Sequence, residues 1–196
     1  MAFDWQSVTL VIVPGRGDSG PQHWQSRWEM AYPRTRRVIQ ADWDNPVRAQ
    51  WVDTLGRTLS VVTGPVVLVG HSAGSMTIVQ WAASQARPAN PVVGALLAAP
   101  PDFDADIPGL SPRVLAAAGW APIPRARLPF PAIVAASAND PYARLERSAE
   151  MARWWGARLV RVGEAGHINT ESGFGPWPEG ERLLEELAEP APRSHP

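Results

Sequence analysis

One stretch of the sequence restricts the possible folds more than any other, because an apolar run enters an apolar helix through a Gly-x-Ser-x-Gly corner. Residues 65–69 read Pro-Val-Val-Leu-Val, the corner occupies residues 70–74, and Met-Thr-Ile-Val-Gln-Trp-Ala-Ala follows at 76–83. A strand and a helix pass so close at such a corner that a Cβ at Gly70 or Gly74 would collide with the neighbouring backbone. The pattern therefore predicts a strand–turn–helix unit.

The serine at this corner is a candidate nucleophile. In a strand–turn–helix unit of this kind Ser72 is exposed at the carboxyl end of the sheet, an arrangement known as a nucleophile elbow. The corner also aims the backbone N–H of Ala73, at a helix N-terminus, toward an oxyanion formed on the target of the serine. The alternative is an ordinary βα turn in which Ser72 has no chemical role.

Apolar runs that predict buried strands alternate with stretches of helical periodicity along the whole chain. Strands are predicted at 8–13, 38–41, 65–70, 92–98, 131–137 and 158–162, and helices from Pro21, from Pro46, after the elbow, at 141–155 and at 179–188. This alternation predicts an α/β fold, with a mainly parallel sheet of about six strands and helices on both faces. Right-handed crossovers would then align the carboxyl ends of the strands along one edge, where ligands bind.

The chain length predicts one domain over residues 1–189, followed by a Pro-rich disordered tail at 190–196. The one long irregular segment, residues 100–130, is too short to form a large lid domain. It is expected to hold a helix around 114–118 and either to form one rim of the site or to be a surface crossover.

Composition excludes several classes of chemistry. The net charge of −1 gives no reason to expect a nucleic acid or an anionic membrane as partner. The absence of cysteine and lysine excludes thiolate catalysis, Schiff-base chemistry and a Walker lysine, and the four scattered histidines argue against a metal site. We expect no cofactor, no metal and a cytoplasmic location, since the sequence shows neither a signal peptide nor an apolar run of membrane-spanning length.

A second glycine-rich stretch resembles a dinucleotide-binding fingerprint. Gly15-x-Gly17-x-x-Gly20 follows the first strand, and Asp42 lies where a ribose-binding acid would be. However, Pro21 directly after the third glycine biases that glycine away from helical angles and delays the helix. We favour a loop whose backbone N–H at Arg16 completes an oxyanion hole with Ala73, with a purely structural turn as the alternative.

A serine nucleophile needs a general base, and that base needs a carboxylate to fix its tautomer. His167 is the candidate base because it follows the sixth strand at the edge expected for the site, whereas His195 lies in the tail. Side chains alternate along a strand, so His71 should point away from Ser72. His23 has either a packing role or a place in the pocket wall.

The candidate acid is Asp140, which follows the fifth strand and precedes His167, as in the chain order Ser, acid, His. A helix N-cap is the alternative role, since aspartate is favoured there. Asp102, Asp104 and Glu164 are reserve candidates for the acid.

Several short motifs occur together between Leu10 and Leu187. They are Gly-Pro-Gln-His-Trp at 20–24, Gln-Ala-Asp-Trp at 40–43, Gly-His-Ser-Ala-Gly at 70–74, Asn-Asp-Pro-Tyr at 139–142, Ala-Gly-His-Ile-Asn at 165–169 and Ser-Gly-Phe-Gly-Pro-Trp-Pro at 172–178. In this combination the chain resembles the small serine hydrolases of the retinoblastoma-binding-protein-nine and YdeN-like family. The resemblance implies a compact α/β-hydrolase fold without the early antiparallel strands of larger hydrolases, and a triad matching Ser72, Asp140 and His167.

These observations predict a cofactor-free serine hydrolase, a carboxylesterase acting on a small acyl substrate through an acyl-enzyme, with thioesters, amides and short peptides still open. His23, Trp43, Trp120 and Trp177 are the candidate pocket residues. The competing hypothesis is a catalytically weak protein that uses the same cleft to bind a ligand or a protein partner, since fold does not imply function and the family's human namesake is described as a protein-binding partner.

Overall fold

Strands and helices alternate along the chain in a computed structural model, which describes residues 4–84 and 91–188. The elements are β1 (Thr9–Val13), α1 (Trp24–Ala31), β2 (Thr35–Arg37), α2 (Arg48–Ser60), β3 (Val66–His71), α3 (Ala73–Ser84), β4 (Val92–Ala98), α4 (Pro112–Ala117), β5 (Ala132–Ala136), α5 (Leu145–Trp155), β6 (Arg158–Arg161), a 3-10 helix (Thr170–Ser172) and α6 (Pro178–Ala188). Among the described residues, no helix has the length and apolarity needed to cross a bilayer.

All described strands pair in parallel in one sheet, with the order β2-β1-β3-β4-β5-β6. The chain steps from β1 outward to β2, returns to the other side of β1 as β3, and then continues in one direction to β6. The carboxyl ends of β1 and β3 therefore flank a topological switch point, the place where ligands bind in open α/β sheets. Over the part of the chain that the structure describes, the predicted α/β-hydrolase architecture without a large lid domain is confirmed.

Two apolar cores cover the two faces of the sheet, because alternate residues of a strand point to opposite sides. Val11 and Val13 of β1 belong to the core beneath α2, α3 and α5, whereas Leu10 and Ile12 belong to the core beneath α1 and α6. Every residue of β1 and β3 is buried. Continuous Val/Leu/Ile runs are what a strand buried on both faces requires.

The second strand lies at Thr35–Arg37, not at 38–41 as the apolar run predicted. Among the described residues it is an edge strand, and it pairs with Leu10–Ile12 of β1. An edge position tolerates polar residues, and hence hydrophobic patterning gave no signal there. Ile39, part of the predicted strand, is instead 61% exposed.

Three helices start later than proline placement predicted. The prolines at 21, 46 and 141 lie in the connections before α1, α2 and α5, whose N-caps are His23, Val47 and Arg144 in extended conformation. Proline is compatible with the turn before a helix as well as with its first position, so its presence alone did not fix the helix start.

The irregular segment at 100–130 contains the predicted helix, α4, and is anchored by buried side chains rather than lying loosely on the surface. The anchors are Phe103, Ile107, Leu115, Trp120, Ile123, Leu128 and Phe130. Trp120 donates its indole N–H to the carbonyl of Pro46 at 2.7 Å, which ties the segment to the start of α2. The tail predicted at 190–196 lies outside the described residues, and that part of the domain prediction stays a prediction.

Candidate active site

Ser72 lies at the corner between β3 and α3 with a left-handed backbone, φ +53°. The corner is crowded, because a Cβ at Gly70 would lie 2.7 Å from the Cα of Ser75 and a Cβ at Gly74 would overlap the carbonyl oxygens of Val13 and Pro14. A non-glycine residue at positive φ costs free energy and is typical of functional sites. The predicted strand–turn–helix corner is therefore present, with the strained residue at its centre.

Hydrogen bonds join Ser72, His167 and Asp140. The Oγ of Ser72 lies 2.8 Å from Nε2 of His167, and Nδ1 of His167 lies 3.0 Å from each carboxylate oxygen of Asp140. A carboxylate only accepts hydrogen bonds, so Nδ1 carries the proton and Nε2 is left to accept from the serine hydroxyl. The side chains of His167 and Asp140 are 10% and 4% exposed. This arrangement can take a proton from Ser72 while a buried negative charge compensates the imidazolium.

The loop that presents His167 is held by hydrogen bonds from two directions. Backbone N–H groups of Ala165 and Gly166 donate to the side chains of Ser137 and Asn139, at 2.9 and 2.7 Å. The N–H of His167 itself donates to Oγ of Ser172 at 3.1 Å. These bonds connect the ends of β5 and β6 with the 3-10 helix, and they fix the position of the imidazole.

Asp140 is not a helix N-cap, and that alternative is wrong because α5 begins only at Leu145 with Arg144 as its cap. Instead, Oδ1 of Asp140 accepts the backbone N–H of Tyr142 at 2.9 Å. Two reserve acids lie elsewhere, since Asp102 and Asp104 form ion pairs with Arg147. The third, Glu164, is exposed.

Two further histidines pack behind His167. The ring of His71 lies 5.0 Å from that of His167 and 4.8 Å from that of His23, and Nε2–H of His71 donates to the backbone carbonyl of His167 at 2.8 Å. Burial holds the pKa of His71 well below its usual value and lowers the pKa of His23 to about 4, helped there by nearby Arg37. Both are therefore neutral near pH 7. The sequence did not predict the contact of His71 with the His167 backbone, because the alternation of side chains along a strand indicates only that His71 points away from Ser72.

The glycine-rich loop after β1 packs directly on the elbow. A Cβ at Gly15 would lie 2.9 Å from the Cβ of Ser72 and 3.5 Å from the backbone nitrogen of Ala73. Arg16 follows in this loop and lines the cavity beside Ser72 and Ala73. This placement brings both predicted oxyanion-hole residues to the nucleophile.

Gln25, which no sequence argument singled out, holds that loop against the sheet. Its fully buried amide donates to the carbonyls of Val13 and Val69 at 3.2 and 3.0 Å, and its oxygen accepts the Ser19 hydroxyl at 2.6 Å. A fully buried glutamine is unusual, but its partners become visible only when the chain is folded.

The dinucleotide hypothesis fits the loop poorly. In the fingerprint the third glycine packs against the strand within the helix. Here a Cβ at Gly20 would meet nothing within 4 Å, and α1 begins only at Trp24. Within residues 4–84 and 91–188, no group of three or more His, Asp or Glu side chains is placed to hold a metal ion.

A cavity of about 660 Å³ opens at Ser72 and contains two of the four predicted pocket residues, His23 and Trp120. The other two, Trp43 and Trp177, are not among the residues that line it. Trp177 stacks on Trp28 with ring centres 5.9 Å apart, in the core beneath α1 and α6, and Trp43 packs edge-on against Trp51. The sequence alone does not show which face of the sheet a large aromatic residue near these motifs occupies.

A family model of serine hydrolases matches residues 10–186. No curated protein matches the chain. Among solved structures, a protein assigned as a YdeN-like hydrolase from Pectobacterium atrosepticum is 36% identical, with a TM-score of 0.80 over 93% of this chain and 91% of that one. The ydeN gene product of B. subtilis is 19% identical, with a TM-score of 0.71 over 92% and 98% of the two chains. The esterase RhEst1 from Rhodococcus sp. ECU1013 is 12% identical, with a TM-score of 0.64 over 95% and 93%, and shares the fold.

Proposed function

The chain belongs to the serine hydrolase family, and on that basis we propose that it is a carboxylesterase with Ser72, His167 and Asp140 as catalytic triad. The observation that carries the proposal is the unbroken hydrogen-bond chain from Oγ of Ser72 through both ring nitrogens of His167 to the Asp140 carboxylate. Each group is at the distance that proton transfer requires. Each is also supplied by the end of a different strand.

Acylation begins when Nε2 of His167 accepts the proton of Ser72 and Oγ attacks the carbonyl carbon of an ester. The negative charge that develops on the carbonyl oxygen is stabilised by the backbone N–H of Ala73, and we assign the second donor to Arg16. Asp140 stabilises the imidazolium. When the tetrahedral intermediate collapses, the proton passes from His167 to the ester oxygen, the alcohol leaves, and the acyl group stays on Ser72.

Deacylation repeats these steps with water as the nucleophile. His167 removes a proton from water, the hydroxide attacks the acyl carbon, and the carboxylic acid leaves as Oγ of Ser72 regains its proton. The cavity of about 660 Å³ is in the usual range for small-molecule sites. Esters are favoured over amides because an alcohol is a better leaving group than an amine.

Fluorophosphonate labelling tests this proposal. We expect one covalent label per chain, on Ser72, with loss of p-nitrophenyl butyrate hydrolysis, and we expect Ser72→Ala to abolish both. The matched control is Ser75→Ala, since Ser75 is fully buried in α3 and its hydroxyl donates to the Ala98 carbonyl; this variant should still be labelled. Labelling at another serine would refute the assignment, and a folded protein with no labelling and no hydrolysis would leave the binding-protein alternative.

A further inference from the structure

The cavity at Ser72 has two walls of opposite character, one over each face of the sheet. The apolar wall is formed by Val47, Phe103, Ile107, Leu110, Leu115 and Trp120. All but Val47, which is 39% exposed, belong to or pack against the core beneath α2, α3 and α5. Hydrogen bonds from Trp120 to Pro46 and from Arg48 to Ala118 hold the wall together. Val114 of α4 stands at its rim, 53% exposed.

The polar wall of the cavity is formed by His23, Asn169, Thr170 and Glu171. Three of these residues directly follow His167, whose neighbours Ala165 and Ile168 belong to the core beneath α1 and α6. Each wall is thus continuous with a different core, and Ser72 lies at the boundary.

The proton transfer from His167 to the leaving oxygen determines which part of an ester lies against which wall. The leaving oxygen must receive its proton from Nε2 of His167, so the alcohol portion lies on the His167 side. From this, and resting on the proposed function, we propose that the polar wall binds the alcohol and the apolar wall binds the acyl chain. The substrates are then esters of an apolar acyl group with a polar alcohol.

The charge on the polar wall further restricts which alcohols it can bind. Glu171 is exposed and forms no ion pair within the described residues. Asp18, nearby in the cavity lining, is paired with Arg37 at 2.7 Å, and His23 is neutral. Arg16 and Asp44 also line the cavity, and Nε of Arg16 donates to the carbonyl of Asp44 at 2.9 Å, which keeps this pair of opposite charges together at the segment that leads to α2. The polar wall therefore favours neutral or cationic alcohols over anionic ones.

The oxygen of the Asn169 side chain is already engaged, since it accepts the N–H and the hydroxyl of Ser172 at 3.1 and 2.9 Å. Its amide NH₂ is left as a donor on this wall, and so is Nε2–H of His23, since Nδ1 of that ring accepts the backbone N–H of Gln25. These donors and the Glu171 carboxylate suit an alcohol that carries hydroxyl or ammonium groups.

The test measures two selectivity ratios by pH-stat titration of the released acid. The chain ratio is kcat/KM for choline hexanoate over choline acetate. The alcohol ratio is kcat/KM for choline hexanoate over carboxymethyl hexanoate, with 2-hydroxyethyl hexanoate as the neutral reference. Each buried methylene should raise kcat/KM by up to about fourfold, so we expect a wild-type chain ratio on the order of 100 and an alcohol ratio above 1.

Two variants address the walls separately. Val114→Asn, which adds polarity without charge, should lower the chain ratio roughly tenfold and leave the alcohol ratio unchanged. Glu171→Gln should lower the alcohol ratio roughly fivefold and leave the chain ratio unchanged. Matched controls are Val61→Asn and Glu164→Gln, which make the same changes at exposed positions outside the cavity lining and should alter neither ratio.

Crossed effects, in which Val114→Asn changes the alcohol ratio and Glu171→Gln changes the chain ratio, would overturn the orientation. Variants that change neither ratio would overturn the assignment of both walls. These results leave the proposed function intact, provided that wild type hydrolyses the esters and Ser72→Ala does not. Hydrolysis that survives Ser72→Ala would instead refute the proposed function itself.

Discussion

Replacing Asp140 by asparagine tests the role of the buried carboxylate beside His167. Asparagine has the same shape, so its oxygen can still accept the N–H of Tyr142, and α5 keeps its own cap at Arg144. What changes is the charge and the hydrogen-bonding pattern that faces Nδ1 of His167. The substitution should therefore leave the fold unchanged and act on catalysis.

The size of the effect follows from two losses. Both carboxylate oxygens lie 3.0 Å from Nδ1, so the centres of charge are about 4 Å apart once the imidazolium forms. With an effective dielectric constant of about 20, the lost attraction is roughly 4 kcal/mol, or about 10³ in kcat. An amide NH₂ that faces Nδ1 also favours the wrong tautomer of His167. We therefore expect a total loss of kcat on the order of 10⁴, the loss that the same change causes in a serine protease.

The assay is kcat for p-nitrophenyl butyrate, with urea unfolding as the check on folding. Asp102→Asn is the matched control, because it makes the same chemical change at the end of the neighbouring strand and removes only an ion pair with Arg147; its kcat should stay within about threefold of wild type. A folded Asp140→Asn variant that keeps more than about a tenth of wild-type kcat, against the large loss expected, would refute the assignment.

Three further predictions follow from the site. Below pH 6.5, near its ordinary pKa, His23 takes up a proton in the unfolded chain but not in the folded one until about pH 4. As pH drops through this window, His23 should therefore lower the free energy of unfolding by about 1.4 kcal/mol per pH unit, in addition to the contribution of buried His71. His23→Asn keeps an N-cap oxygen and should lose the His23 part of this slope in urea titrations at pH 7 and 5; a slope equal to that of wild type would contradict the burial argument. Gly74→Ala should destabilise by about 3 kcal/mol through overlap with the backbone, whereas Gly56→Ala, whose Cβ would lie 3.7 Å from the Trp81 indole nitrogen, should be neutral or stabilising in the same unfolding assay. Esterase activity should survive EDTA and dialysis, and a clear thermal shift with NAD(P) would instead support the dinucleotide hypothesis.

The sequence by itself determined the parts of this protein that depend on local geometry. The elbow needs only an apolar strand, an apolar helix and two glycines at their corner, all within about a dozen residues, so Ser72 and its strand could be located directly. Parallel pairing then aligns the carboxyl ends of the strands, and for that reason the ends of β5 and β6 pointed to Asp140 and His167 as its candidate partners.

Only the tertiary structure decided which side chains surround those residues. Trp177 was expected in the pocket and lies in the opposite core, because the face that a loop residue reaches depends on how distant segments pack. Gln25 reaches Val69 and His71 reaches the carbonyl of His167 across 44 and 96 positions of sequence. Contacts of that range leave no periodic pattern in the chain, and the two walls of the cavity become distinct only after α4 and the segment after His167 settle over opposite faces of the sheet.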